Sequence, residues 1–469
     1  MNFKALIAFC LLNSIALSQG NYGVLKKVDC SQSGYILFAP LFSKNTYLID
    51  KCGREVHKWK SAYTPAQSAY FLPNGKLLRT GNDTITPGYT NRGGIIEILN
   101  WKSEVVWSYK IADSSQRQHH DVCPMPNGNI VVLVYDRKSG EQAMNMGRDT
   151  AIKSKWIWSE KIIELQPIGK NEANIVWEWK VWDHLIQDFD KSLPNYGLVA
   201  DNPQRININF LASSDEDWLH FNSIDYNEQL NQILISNRNF SEIFILDHST
   251  TTVEASSNKG GKQNKGGDLL FRWGNPMSYK RGNPEIQTFF NQHNARWIKK
   301  GLKDEGKIIV FNNGLNRPGE LHSTVDIINP QIDDKNNYQL SSGLTYLPEK
   351  PYSQYGEDET NGFYSSNVSS AQRLSNGNTL ICEGENGRFF EIDKSGDVVW
   401  AYINPIGLFK ILQNGSHPDK NQVFRCFLYE PSYPGFRGNQ LRLGKTIEIN
   451  PGLKDCKINF LKRSDCNSK

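Results

Sequence analysis

An all-β chain, a six-bladed β-propeller with a helical insertion between blades, is the fold this sequence predicts, and three observations predict it. The aromatic share is 11%, with 37 Gly and 20 Pro, a composition of many short strands joined by turns rather than of a helical bundle. An Asn-Gly turn, a β-rich strand, a strand ending in Glu-Ile or Ile-Asp and a strand closing on Trp recur along the chain. The spacing of these units, roughly 45 to 75 residues, suits propeller blades better than a pair of β-sandwiches. Each unit is an antiparallel meander that cannot bury both faces alone; radial packing hides both and leaves only short edges.

Taken in order, Met1-Asn2-Phe3-Lys4, the apolar run Ala5 to Leu17 and Ser18-Gln19-Gly20 read as a secretory signal peptide over residues 1–18. That run is shorter than the ~20 residues that span a bilayer, and no second run of spanning length follows. The mature chain is therefore expected to be secreted or periplasmic, with no membrane span. Residues 19–33 are read as an N-terminal segment, 34–455 as the propeller and 456–469 as a C-terminal tail.

The first unit is partial: Tyr35-Ile36-Leu37-Phe38, Thr46 to Asp50 and Val56-His57-Lys58-Trp59. The second runs from Leu72-Pro73-Asn74-Gly75 to Trp107, and the third from Met125-Pro126-Asn127-Gly128 to Trp177. Residues 181–218 break the pattern; their apolar side chains stand at mixed spacing, and a helical insertion is expected there. The fourth unit covers Asn222 to Trp273, interrupted by a Ser/Asn/Lys/Gly-rich stretch at 254–267 that reads as a flexible loop tip. A fifth runs from His293 to about Leu340 and a sixth from Leu374-Ser375-Asn376-Gly377 to Trp400. Thr446 to Asn450 resembles the Glu-Ile strand and is expected to close the ring. The repeated Trp is expected to fill the space between neighbouring blades.

Removal of the signal would leave seven cysteines: Cys30, Cys52, Cys123, Cys382, Cys426, Cys456 and Cys466. Export favours disulfides among them, and the odd number leaves at least one unpaired within the chain. No CxxC occurs, which argues against a zinc knuckle or a thioredoxin-type site. Net charge is +4 with no basic run, so nucleic acid is not an expected partner.

The chemistry gathers at one recurrent place, the start of a blade just before its first strand. His119-His120-Asp121 precede Val122, Asp217-Trp218-Leu219-His220-Phe221-Asn222-Ser223 precede Ile224, and Gln292-His293-Asn294 precede the fifth unit. In a propeller the inner strands line one axial channel, so these imidazoles should converge. Arg238, at the end of the second strand of the His220 unit, should join them. Imidazoles with a guanidinium and no matching carboxylate cluster suit a tetrahedral oxyanion, which the planar Arg fork grips well. A neutral His can attack through a ring nitrogen while its neighbours donate to developing charge. The competing reading of three His is a mononuclear metal site, but adjacent His119-His120 is a poor chelate spacing. His57 and His184, each beside Trp, read as structural, His248 as a turn residue, and His322 and His417 as loop residues. Tyr89, Tyr352, Tyr355, Phe363 and Tyr364 are aromatics that could stack on a ring at the mouth.

At these segments the sequence resembles the bacterial-type aryl-sulfate sulfotransferases, over roughly residues 33 to 450. The specific motif is Asp217-Trp218-x-His220-x-Asn222-Ser223-x-Asp225-Tyr226, with Arg238 eighteen residues after the His. The resemblance implies a six-bladed propeller that moves a sulfuryl group from a phenolic sulfate ester to a phenol without a nucleotide donor, using no cofactor and no metal. It also implies His293 as the covalent histidine, His220 and Arg238 as sulfate-holding groups, and His120 in preference to His119 as the remaining histidine. His119 and Asn222 are then expected as substrate-binding residues. The implied mechanism is ping-pong, through an N-sulfohistidine. The alternatives are a non-catalytic propeller that binds an aryl or sulfated ligand, and an aryl sulfatase-like hydrolase. Well-studied family members pair through a separate N-terminal strand domain. Here the repeat begins by about Gly34, so the sequence leaves the oligomeric state open.

Overall fold

The computed structural model describes residues 21–86, 93–213, 216–357, 362–417, 419–453 and 456. The expected signal peptide, Tyr89, Cys466 and the tail after Cys456 lie outside the described residues. Six antiparallel sheets form the propeller. From the axis outward, blade I is Val423–Tyr429, Tyr35–Pro40, Asn45–Asp50 and Glu55–Lys60, and blade II is Pro65–Phe71, Leu77–Asn82, Gly94–Leu99 and Val105–Lys110. Blade III is Gln116–Pro124, Ile130–Ser139, Trp156–Ile168 and Glu172–Lys180. Blade IV is Phe221–Asn227, Gln232–Asn237, Glu242–Asp247 and Phe271–Trp273. Blade V is His293–Trp297, Ile308–Asn312, Thr324–Ile328 and Ser353–Tyr355. Blade VI is Ser370–Arg373, Thr379–Glu383, Arg388–Ile392 and Val398–Ile403, with Gly23–Lys27 added as a fifth, outermost strand.

Two boundaries differ from those read in the sequence. The ring includes residues upstream of Gly34, because Gly23–Lys27 pairs antiparallel with Val398–Ile403. It is closed by Val423–Tyr429 pairing with Tyr35–Pro40, not by Thr446 to Asn450, where Thr446 makes only an isolated bridge to Arg54. A strand held by the first blade has no need of the turn and Glu-Ile signature of a hairpin-connected repeat. The disulfide Cys52–Cys456 ties the C-terminal segment back to blade I, while Cys30, Cys123, Cys382 and Cys426 are free thiols.

The Asn-Gly turns work through their glycines. Gly75, Gly128 and Gly377 have φ of 80°, 89° and 91°, and each amide closes a four-residue turn, onto Leu72, Met125 and Leu374. The preceding Asn residues keep negative φ, so these are type I turns followed by a left-handed Gly rather than mirror-image turns. The recurrent Trp residues bridge blades as expected. Trp107 Nε1 donates to Glu172 O (2.9 Å), Trp177 to Thr250 Oγ1 (3.1 Å), Trp273 to Pro348 O (2.6 Å) and Trp400 to Lys51 O (2.8 Å). Each acceptor lies on the following blade, so one side chain supplies both an apolar plate and a hydrogen bond across the seam.

Between blades III and IV the insertion is helical only as short 3₁₀ turns, Val181–His184 and Val199–Asp201, beside a parallel pair of strands, Leu185–Ile186 and Ile206–Asn207. Pro194, Gly197 and Pro203 leave no room for a longer helix. The described α-helices, Gly140–Asn145 and Thr252–Ala255, lie elsewhere. The stretch at 254–267 is anchored rather than free: Trp179 Nε1 donates to Gly267 O, and His184 Nε2 contacts Ala255 O. No helix among the described residues is long and apolar enough to cross a membrane.

Candidate active site

The inner strands of blades III, IV and V each carry a β-bulge where their histidines stand. Register slips between the partners Val132 and Val134, between Phe221 and Ser223, and between His293 and Arg296. At these bulges His120, His220 and Asn294 adopt left-handed φ of 47°, 60° and 56°. Such angles are costly for side-chain-bearing residues, and a bulge re-aims the side chain it carries.

The bulges bring together the residues singled out in the sequence. The rings of His120 and His220 lie 4.6 Å apart in an edge-to-face contact, and Phe424, on the closing strand, is 6.0 Å from His120 and 6.4 Å from His293. His220, His119, His293 and Arg238 all act electrostatically on His120. Burial, then Arg238, hold His293 neutral far below the ordinary histidine pKa, with His220 and Arg425 acting in the same direction. Burial likewise lowers His120, followed by His220.

Hydrogen bonds settle which nitrogen of His293 is free. Its Nδ1 lies 2.7 Å from Asn313 Oδ1 and 3.1 Å from Asn291 O, both acceptors. Asn313 cannot turn its amide over, because its Nδ2 donates to Ser365 O and Val368 O. Nδ1 therefore carries the proton, and Nε2 keeps its lone pair. His220 donates from Nδ1 to Asp217 Oδ2 at 2.5 Å. Burial would raise Asp217, but His220, His119 and Arg238 outweigh it and keep the carboxylate ionised. Arg238 accompanies them; its backbone N–H bonds His220 O, and its Nη1 donates to Asn239 Oδ1. Asn239 in turn clamps Asp217 O.

The two residues expected as substrate contacts, His119 and Asn222, are both fully buried. His119 is fully buried with both ring nitrogens engaged, by His120 and by Glu160, so it stands behind His120. Asn222 is also fully buried; its Nδ2 holds Gln292 O at 2.7 Å, which ties the His220 strand to the His293 strand. A bulge interrupts the regular alternation of side chains, so the spacing alone could not separate His119 from His120.

Beneath the histidines lies a layer not singled out in the sequence. Asp121 Oδ2 accepts from Arg296 Nη2 (2.9 Å), Arg425 Nη1 (2.8 Å) and the Ile224 amide (3.1 Å), while Oδ1 accepts from Tyr70 OH (2.6 Å). Arg296 also pairs with Asp225, and both arginines contact Tyr70 OH. Five blades thus meet on one carboxylate. Burial raises Asp121, but Arg425 and Arg296 outweigh it. Ionic residues mid-strand in a buried inner strand were the signal that could have found this layer.

The remaining histidines stand apart from this cluster. His57 stacks on Trp101, His184 bonds Asp268, and His248 joins Glu164 to Asn231. His322 Nδ1 bonds Glu320 O, and His417 is exposed. Phe363 packs with Phe311 and Phe390 in the core between blades V and VI, and Tyr352 lies under Lys307. Among the described residues, no group of three or more His, Cys, Asp or Glu is disposed to hold a metal ion.

Comparison with solved structures returns other chains of low identity. A protein of unknown function from Bacteroides caccae is 11% identical, over 84% of this chain and 98% of that one, with TM-score 0.45. A functionally unknown protein from Desulfotomaculum acetoxidans is 11% identical over 85% and 100%, TM-score 0.40, and apo AztD from Citrobacter koseri is 7% identical over 85% and 98%, TM-score 0.38. Identities this low carry nothing about activity. Comparison with curated proteins gives no match. The Cys52–Cys456 disulfide fits an extracellular or periplasmic protein. The arylsulfotransferase (ASST) profile matches residues 23–399, which supports aryl sulfotransfer as the activity in general terms. The chain belongs to the arylsulfotransferase family.

Proposed function

We propose that this protein transfers the sulfuryl group of a phenolic sulfate ester to a phenol by double displacement, with His293 as the nucleophile, in a compartment outside the cytoplasm. The observation that carries the reading is the fixed tautomer of His293: Nδ1 is held by Asn313 Oδ1 and Asn291 O, and Nε2 is left with its lone pair. A histidine kept neutral by burial and by Arg238 is competent at neutral pH without a base to activate it. Nε2 attacks sulfur in line, the S–O bond to the aromatic ring breaks, and its electron pair leaves on the phenolate. The second phenol then gives up its hydroxyl proton and attacks the sulfuryl group on Nε2, the N–S bond breaks and the His293 lone pair is restored; that proton balances the one the first phenolate takes up.

As in loose phosphoryl transfer, charge concentrates on the three equatorial oxygens and on the leaving oxygen. Arg238, His220 and His120 are the donors proposed to meet it, preorganised by the bulges and by Asp217. Asn222 acts by holding Gln292, the residue before the nucleophile. The scheme uses no metal ion and no nucleotide.

An assay with 4-nitrophenyl sulfate, with and without added phenol, tests the reading. Nitrophenol release that depends on the phenol and yields phenyl sulfate is expected. Release that proceeds equally without acceptor would make the protein a hydrolase, and absence of release would leave a binding propeller.

A further inference from the structure

Behind His120 a line of hydrogen bonds runs to a buried carboxyl. The Nδ1 atoms of His120 and His119 are 2.8 Å apart, and His119 Nε2 lies 2.7 Å from Glu160 Oε2. The other oxygen, Oε1, accepts the Phe221 backbone N–H at 2.8 Å, so Oε2 faces His119 alone. Glu160 and His119 are both fully buried, and the Tyr135 ring stacks on His119 at 3.6 Å and fixes its plane.

Each of the two contacts holds one proton, which gives the line two complete arrangements. In the first, Glu160 is a carboxylic acid donating to His119 Nε2, His119 Nδ1–H donates to His120 Nδ1, and His120 presents an N–H at Nε2. In the second, Glu160 is a carboxylate, both hydrogen bonds run the other way, and His120 presents a lone pair at Nε2. Burial pushes the Glu160 carboxyl well above its ordinary range, against the Phe221 amide, and burial lowers His119 to about 3. The first, proton-loaded arrangement is therefore the resting one.

We propose that Glu160, His119 and His120 form a proton relay that protonates the departing phenolate and later takes the proton of the acceptor phenol; this rests on His293 as the nucleophile. When the S–O bond breaks, the phenolate oxygen takes the proton from His120 Nε2. The His119 proton passes to His120 Nδ1, and the Glu160 proton passes to His119 Nε2. The sulfuryl-imidazolium on His293 is net neutral with Nδ1–H still on Asn313, so the negative charge brought in by the ester rests on Glu160. The acceptor phenol reverses every transfer: its proton enters at His120 Nε2 and returns to Glu160. One proton leaves with the first product, one returns with the second substrate, and nothing else is consumed. His120 is the catalytic member; His119 and Glu160 act through it.

Glu160→Gln tests the relay, because the amide still accepts from Phe221 and still donates toward His119 but has no proton to give up. Sulfuryl transfer to His293 is followed in a single turnover with two donors. With 4-nitrophenyl sulfate, whose phenolate leaves without protonation, the variant should stay within a few-fold of the unaltered protein. With 4-methylphenyl sulfate, whose phenolate is as basic as that of tyrosine, the loss should be about 100-fold or more. Equal loss with both donors, the mark of a merely structural carboxyl, or no loss with either, overturns the relay while leaving the nucleophile in place. No adduct on His293 in the unaltered protein overturns the nucleophile and the relay together. Should the variant not fold, the unaltered protein carries the same contrast. D₂O should slow transfer from 4-methylphenyl sulfate and leave transfer from 4-nitrophenyl sulfate unchanged, and equal effects would overturn the proposal.

Discussion

On blade III two neighbouring residues belong to two different layers of the channel. His120 joins His220, His293 and Arg238, whereas Asp121 joins Tyr70, Arg296 and Arg425. Both layers are buried and polar, and they share the inner strands of blades III and V. In the Asp121 layer both carboxylate oxygens are filled by protein donors, and its charges are met by opposite charges. In the histidine layer each ring spends Nδ1 on the protein, on His119, Asp217 or Asn313. A closed ionic layer locks the bulged strands together, and an open one set on top of it inherits fixed positions. That is preorganisation by division of labour.

Breaking the open layer should cost rate and spare the fold. Arg238→Met should lower turnover about 100- to 1,000-fold, the scale of one lost oxyanion donor, with little change in melting temperature. Breaking the closed layer should do the reverse. Asp121→Asn leaves two buried guanidinium groups without their shared carboxylate and should destabilise the protein by ~3–5 kcal/mol in denaturant unfolding. Its turnover per folded molecule should fall less than in Arg238→Met. A variant ordering with these two effects exchanged would erase the distinction between the layers.

A smaller effect sharpens the tautomer argument. Asn313→Ala removes the acceptor of His293 Nδ1–H but leaves Asn291 O, and should slow transfer roughly tenfold, the equivalent of one hydrogen bond of about 1.4 kcal/mol.

Changes in pH should separate the layers least, but with a definite sign. Because His293 and His120 are held neutral well below 6.5, protonation of neither should slow transfer as pH falls through 6.5. Stability should fall. His119 and His57, lowered to about 3 and about 4 chiefly by burial, regain a pKa near 6.5 on unfolding. The unfolded chain then binds more protons, so their contribution is present above 6.5 and drains away as pH falls toward 4. Thermal unfolding at pH 7 and pH 5 checks the direction.

The repeats were legible because Asn-Gly turns and strand-end Trp residues are local signals, and the structure uses both at blade seams and hairpins. The closing strand Val423–Tyr429 was not, because its partner Tyr35–Pro40 lies at the other end of the chain and no turn joins them. The histidine cluster was legible from blade-start positions and family motifs. Which of His119 and His120 faces inward depends on a bulge, which shifts register by a residue and hides from strand periodicity. Tyr70, Arg296 and Arg425 come from blades II, V and I, and only the ring brings them to Asp121.

The most direct measurement mixes the protein with 4-nitrophenyl sulfate in the absence of acceptor, quenches without acid, and weighs the peptide that contains His293. The account predicts one added sulfuryl group on that peptide, removed by a phenol and absent in His293→Asn. A sulfuryl group on His120 or His220 instead, or phenol-dependent transfer with no modified histidine at all, would contradict it.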